Sequence, residues 1–254
     1  MPGGEPLRRF MTFTSPLYAY PSHIILSAIP SSQKLPTNTH PPTAYPPPIL
    51  SPRMAAPKFP TTQFLADEFL ICGGSILFDH LPPPSPTFDP ATQLKVCLLR
   101  HTVRNEWLLP KGRKDRGEAV EHTAARETFE ETGYPCALLP VTMATHAPEP
   151  GSQSKDHIEA VPACVEPFMM TLRTVAERNV KLIWWFVTIR TGALHTGTQT
   201  AVESYESEFV PAGEAMTRAT FQSDRTVIAR AVELVRSTYY EGGVPIPCIA
   251  QVDS

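Results

Sequence analysis

Three glutamates, Glu127, Glu130 and Glu131, stand at positions i, i+3 and i+4 within GRKDRGEAVEHTAARETFEETGY, residues 112–134. If that segment is helical, their carboxylates share one face within about 5–6 Å of each other. Three like charges so close destabilise an isolated helix and raise one another's pKa, so something must compensate them. A hard divalent cation is the natural answer. Mg2+ takes oxygen ligands and keeps its remaining positions for water and substrate phosphate. Arg126 can reach back along the chain to a carboxylate, and Glu118, eight residues earlier, is the obvious partner. The competing reading is a solvated acidic helix face, which is the ordinary fate of an isolated E-x-x-E-E.

The wider spacing outweighs that reading. Gly112, Glu118, Arg126, Glu127, Glu130, Glu131 and Gly133 fill the pattern Gly, five residues, Glu, seven residues, Arg-Glu, two residues, Glu-Glu, one residue, Gly. The segment resembles the signature of the Nudix hydrolases. Two positions depart from it: Thr128 stands where a large aliphatic is usual, and Ala119 where a capping Ser or Thr is common. Both bear on helix packing and capping rather than on the chemistry.

The resemblance implies an α+β Nudix fold, a mixed sheet sandwiched between helices. It implies a hydrolase of a nucleoside diphosphate linked to another group, or of a similar phosphoanhydride. Mg2+, with Mn2+ as an alternative, would screen the phosphates and help generate the attacking hydroxide. Glu127, Glu130 and Glu131 would be metal ligands, with Glu127 also a candidate base. Glu118 and Arg126 would brace the loop with Gly112 and Gly133. Relatives often add a carboxylate some six residues ahead of an aromatic before the last sheet strand. Glu203 fits, with Phe209 as that aromatic, and Glu206 and Glu208 are the alternatives.

Lys111, Arg113, Lys114 and Arg116 place four cations beside this site. Lysine binds phosphate as a point charge and arginine as a fork, so the run favours a long polyphosphate over a single diphosphate; the Pro110-Lys111-Gly112 entry resembles Nudix members acting on a dinucleoside polyphosphate or a diphosphoinositol polyphosphate. A nucleoside-triphosphate sanitising enzyme, a capped-RNA hydrolase and a non-catalytic nucleotide sensor are the alternatives. Of Trp184 and Trp185, which alternate faces in a strand, one belongs to the core; for the other a core position is preferred over stacking a base. His101, His122, His146 and His157 show no ligand spacing and read as surface residues.

These side chains need elements to hold them. Phe69–Phe78 predicts a strand, and Leu94–Arg100 a second that pairs antiparallel with it. Trp107–Leu109 is a short apolar run stopped by Pro110. Val120–Thr132 predicts the helix, closed by Gly133 in the left-handed conformation with Pro135 beyond. Ala137–Ala144 predicts a strand, His146–Pro167 a long polar connection, and Pro167–Arg173 with Lys181–Arg190 a hairpin. Residues 79–93 and 191–208 read as loops. Ser223 is the expected N-cap of a closing amphipathic helix that carries Val227, Ala231, Leu234 and Val235 at helical spacing.

Of the 29 prolines among 254 residues, 14 lie in residues 1–60. That segment is expected to be a disordered Pro-rich leader, with the Nudix domain over residues 64–245. Met54 is a second candidate start. The leader holds five bases and one acid, so against a net charge of −3 the rest carries −7. An acidic body argues against nucleic acid as a partner, and no apolar run approaches the ~20 residues of a membrane helix. The expected partner is a small phosphorylated molecule. Five scattered cysteines without a C-x-x-C pair suggest reduced thiols and an intracellular setting, cytoplasm or nucleus, with organelle import through the Ser/Thr-rich, acid-poor leader as the alternative.

Overall fold

A computed structural model describes residues 58–153, 155–175, 179–200 and 203–241. All but Lys58 belong to the unit that begins at Phe59. Apart from residues 58–60, the expected leader lies outside the described residues, as do Cys248 and residues 242–245 of the expected domain.

The elements run β1 (Phe69–Phe78), α1 (Pro90–Gln93), β2 (Lys95–His101), β3 (Glu106–Leu108), β4 (Lys111–Arg113), α2 (Val120–Thr132), β5 (Cys136–Leu138), β6 (Val141–Thr145), β7 (Glu159–Cys164), β8 (Met169–Thr174), β9 (Val180–Arg190), β10 (Tyr205–Pro211), α3 (Ala212–Arg218) and α4 (Gln222–Tyr239). Eight strands form one mixed sheet in the order β10-β2-β1-β9-β5, with β3 on β2, β4 on β1 and β8 on β9; β6 and β7 pair separately. This is the α+β architecture expected.

β1 is the central strand. It runs parallel to β9 over ten residues, Phe69 opposite Val180 through Phe78 opposite Ile189. The expected antiparallel pairing of β1 with β2 is confined to Phe78 and Val96. β2 pairs instead with β10 over seven residues. The apolar stretch 137–144 is not one strand. Pro140 has no N–H for a ladder, and the chain divides there into β5 of the main sheet and β6 of the small one. β7 lies in the segment expected to be an irregular connection, α1 in the expected 79–93 loop, and β10 begins inside the expected 191–208 loop. The β8–β9 hairpin is as expected.

The core has two layers. On one face of the sheet Ile76, Phe78, Val96, Leu98, Ile183, Trp185 and Val187 pack with Val227, Ile228, Ala231 and Val235 of α4. On the other face α2 lies so close to β1 that a Cβ at Gly73 would come within 2.6 Å of the Ala124 amide nitrogen. Thr128 sits in this second layer, where an aliphatic side chain was the usual choice. Its hydroxyl donates to the Ala124 carbonyl at 2.6 Å and lies 2.6 Å from Ser75 Oγ, which in turn lies 2.8 Å from Thr188 Oγ1. Ser75, Thr128 and Thr188 are fully buried, and each hydroxyl is partnered, so the polar cluster avoids the desolvation cost of an orphaned group.

α4 begins one residue before Ser223, with Phe221 at its N-cap and no side-chain cap. Ser223 therefore lies inside the first turn, where its hydroxyl bonds Asp224 Oδ1 at 3.3 Å. α2 likewise starts without a side-chain cap, at Ala119, and ends on Gly133 at φ 78°.

Candidate active site

The loop between β4 and α2 is organised by Arg126. Its Nε and Nη2 donate to Glu118 Oε1 and Oε2 at 2.8 and 2.9 Å, a bidentate pair. Nη2 also donates to the Arg113 carbonyl at 3.0 Å. Nη1 donates to Glu127 Oε1 at 2.7 Å and to Glu130 Oε2 at 3.0 Å. Glu118 Oε2 accepts two more bonds, from the Asp115 amide at 3.0 Å and the Thr123 hydroxyl at 2.8 Å. The Arg126 bonds, with those of Asp115 and Thr123, hold the Glu118 carboxyl at about 2, against the opposing effect of burial. With both oxygens committed to protein donors, Glu118 is a brace. Thr123 was not singled out in the sequence; its position five residues after Glu118, in the first turn of α2, is the signal that would have found it.

The other carboxylates sit in the opposite condition. Glu131 is 4% exposed. One of its oxygens accepts the Lys111 amide at 2.7 Å. Burial pushes its carboxyl up to about 8, and the charges of Glu127 and Glu203 push the same way while Lys111 opposes them. Glu127 is also buried. Burial raises its carboxyl too, Arg126 opposes, and Glu130 and Glu203 add to the rise. Gly112 makes room for Glu127: a Cβ on it would overlap the Glu127 carboxylate.

The three candidates for an additional carboxylate separate by position. Glu203 exerts its charge on both Glu127 and Glu131, while its Oε2 accepts from the Thr200 amide at 2.8 Å and the Thr200 hydroxyl at 2.9 Å. Along β10, Ser207 turns toward α2 and donates to the Thr132 carbonyl at 2.8 Å. Glu206 and Glu208, on either side of it in a strand of period two, turn away. They are exposed and pair with Arg100 at 3.4 Å and Arg218 at 3.0 Å.

A divalent cation suits this donor set by its chemistry: oxygen ligands only, with Glu127 and Glu131 buried and the charges of Glu127 and Glu203 adding to the rise that burial imposes on Glu131. Among the described residues, no three His, Cys, Asp or Glu side chains converge closely enough to hold an ion as they stand. Two of the four carboxylates, Glu127 and Glu130, are engaged by Arg126 Nη1. Holding a cation there needs Nη1 released and the carboxylates drawn together, while Nε and Nη2 keep their own contacts to Glu118 and Arg113.

The model of the NUDIX domain matches residues 86–231 of this chain. The chain belongs to the Nudix family. A nudix hydrolase of Caenorhabditis elegans is 35% identical over 51 residues, and that match spans 20% of this chain but only 14% of the relative. Among solved structures, a NUDIX family hydrolase from Clostridium perfringens is 16% identical with a TM-score of 0.43, covering 67% of this chain and 99% of its own. A C. elegans Ap4A hydrolase is 15% identical with a TM-score of 0.40, covering 65% and 95%.

In this Nudix domain the four expected phosphate cations do not share one surface. Lys111 and Arg113 alternate with Gly112 in β4 and turn to the face opposite α2, because they pair with Gly74 and Cys72. Lys114 and Arg116 lie past the end of the strand, with Lys114 Nζ donating to the Asp115 carbonyl at 3.0 Å. Trp185 is the core member of its pair, 1% exposed, its indole N–H donating to Thr171 Oγ1 at 3.0 Å. Trp184 is half-buried on the α2 side. His122 is exposed, and His146 and His157 take exposed acidic partners, Asp156 and Glu159. His101 packs edge-on against Tyr205 at the strand end. Cys72, Cys97, Cys136 and Cys164 are free thiols. Among the described residues no helix is long and apolar enough to cross a membrane.

Proposed function

We propose that this Nudix domain hydrolyses a phosphoanhydride bond of a polyphosphate substrate, a dinucleoside polyphosphate or a diphosphoinositol polyphosphate, with Mg2+ as cofactor and Mn2+ as its substitute. The observation that carries the reading is the buried pair Glu127 and Glu131, with the charge of Glu203 upon them and Gly112 cleared of any side chain beside them. Bound at Glu127, Glu130, Glu131 and Glu203, the cation would screen phosphate charge and act as a Lewis acid.

The protein's own groups then have separate tasks. Glu127, whose carboxyl burial raises against the opposing effect of Arg126, is suited to take a proton from the attacking water. Arg126 fixes Glu118 and the loop, and so the height of Gly112 beneath Glu127. Lys111 offers its amide to Glu131 and its ammonium to phosphate. A sensor that binds without cleaving gains nothing from burying two carboxylates, which counts against the non-catalytic reading. Triphosphate sanitising and capped-RNA hydrolysis use the same machinery and differ only in the substrate's far end. The proposed setting is intracellular, cytoplasm or nucleus.

The deciding experiment is a screen of purified protein with Mg2+ against nucleoside triphosphates, nucleotide sugars, dinucleoside polyphosphates, capped RNA and diphosphoinositol polyphosphates. Products would be resolved chromatographically. Turnover of the polyphosphates, abolished by chelation, is expected. Absence of Mg2+-dependent hydrolysis in every class would overturn the reading.

A further inference from the structure

The sheet face opposite α2 packs against α4, with Cys72, Ile183 and Trp185 buried in it. On the same face, four cations from three strands come together. Register places them in adjoining rows: Lys111 with Gly74 and Trp185, Arg113 with Cys72 and Ile183, and Lys181 with both Leu70 and Arg173. Residues directly opposite across a ladder share a face, so all four side chains emerge on the same side as the buried Trp185. The electrostatics agree. Cys72, on that face, carries the influence of Lys181, Lys111 and Arg113 together.

None of the four makes an ion pair among the described residues. Arg173 and Lys181 stand directly opposite each other, a like-charge cross-strand pair that disfavours the sheet. Two acids act on them: Glu131, within electrostatic reach of Lys111, and Asp224 in the first turn of α4. Asp224 is 3% exposed and within electrostatic reach of both Lys111 and Arg173. Two acids against four cations leave a positive excess, carried by side chains that are half-buried at Lys111, Arg173 and Lys181 and exposed at Arg113.

This face communicates with the carboxylate site through β4. That strand is three residues long and among the described residues pairs only with β1; at its outer edge the Lys111 amide is taken by Glu131 and the Arg113 carbonyl by Arg126. Gly112 faces Glu127 on one side while Lys111 and Arg113 face the cationic surface on the other. A chain of phosphates passing over the β4 edge would lie against both.

We propose that Arg173 and Lys181, with Lys111 and Arg113, form a distal anion-binding surface that takes the substrate phosphates remote from the bond cleaved and so selects polyphosphates over nucleoside diphosphate compounds. The proposal rests on the hydrolase reading for its link to substrate choice, but the surface itself can be measured without turnover. Neither Arg173 nor Lys181 touches the carboxylates, and both lie more than 35 residues from the signature segment in sequence.

The test uses inorganic tripolyphosphate as probe, titrated calorimetrically into the full chain without divalent cation. Arg173→Gln with Lys181→Gln should weaken its binding roughly tenfold at low salt and flatten the salt dependence, since two partly exposed cations each contribute a few-fold. Arg230→Gln, an exposed cation of α4, should leave binding unchanged. In turnover the double variant should raise KM for a dinucleoside tetraphosphate by a similar factor, with kcat and the KM for a nucleotide sugar unaltered. Tripolyphosphate affinity within twofold of wild type, with an unchanged melting temperature, overturns the proposal while leaving the hydrolase reading intact. Equal rises in KM for both substrates overturn it as well. If the protein hydrolyses nothing yet loses tripolyphosphate binding in the double variant, the hydrolase reading fails and the anion surface stands.

Discussion

The carboxylate of Glu127 lies against the Cα of Gly112, in the space that a side chain at that position would fill. Two residues fifteen apart in sequence are thereby matched in shape, and the match depends on β4 being held against β1 through Gly73 and Gly112. In Gly112→Ala the methyl group and the carboxylate cannot both keep their places, and the flexible one must yield. The expected result is a fall in kcat of about 100-fold or more, as for loss of a group acting in the transition state. The melting temperature should drop by only a few degrees. Steady-state kinetics and thermal melts check it; unchanged kcat would show that Glu127 is not needed where it lies.

Glu131 should reveal the opposite balance between stability and function. Its carboxyl is buried and titrates near 8, so the folded protein binds a proton there that the unfolded chain releases at ordinary carboxylate pH. Stability therefore falls as pH rises from about 4.5 toward 8. Glu131→Gln removes that cost and can still accept the Lys111 amide. Without divalent cation the variant should melt no lower than wild type at pH 5 and higher at pH 9. Adding Mg2+ should raise the melting temperature of wild type alone, and the variant should be inactive. A variant that melts below wild type at pH 9 contradicts this account.

Glu118 works with the reverse sign. Its carboxyl is held at about 2 instead of 4.5, chiefly by Arg126. The stability it contributes is complete above pH 4.5 and disappears as the pH falls toward 2. Glu118→Gln should melt below wild type by a constant margin at pH 6 to 8, and that margin should narrow steadily below pH 4.5. A margin independent of pH would mean that shape, not charge, joins Glu118 to Arg126.

The choice among three glutamates can be settled by parallel substitutions. Glu203→Gln should lower kcat at least tenfold and raise the Mg2+ concentration needed for half activity, because its charge reaches Glu127 and Glu131. Glu206→Gln and Glu208→Gln, which exchange surface partners on the far side of β10, should stay within twofold of wild type. Loss of activity in either of the latter would reverse the assignment.

How far residues alone disclosed this architecture depended on whether a local pattern or a distant partner decided each element. β1 and α2 came out with their observed bounds, because alternation, helical spacing and a left-handed glycine are local signals. The break at Pro140 was just as local but was masked by apolar residues on both sides. β7 contains Pro162 and β10 carries glutamates at alternate positions, and only their partners β6 and β2 make them strands. The same limit governs the site. The spacing of Glu118, Arg126 and Glu127 announced the brace, whereas the meeting of Arg173 and Lys181 with Lys111 depends on register across β4, β1, β9 and β8, which no spacing encodes.

The parallel ladder between β1 and β9 also orders events as the chain is made. Gly73 meets Trp184 across more than a hundred residues, and everything from Gly112 to Tyr134 leaves the ribosome before the strand that completes the sheet beneath it. Contacts of such sequence separation close slowly. A nascent chain therefore carries its acidic helix with no finished platform until β9 has been synthesised, and the burial that tunes Glu127 and Glu131 is among the last properties the molecule acquires. Truncation anywhere between Tyr134 and Val180 would leave the whole signature segment intact in sequence and without its environment.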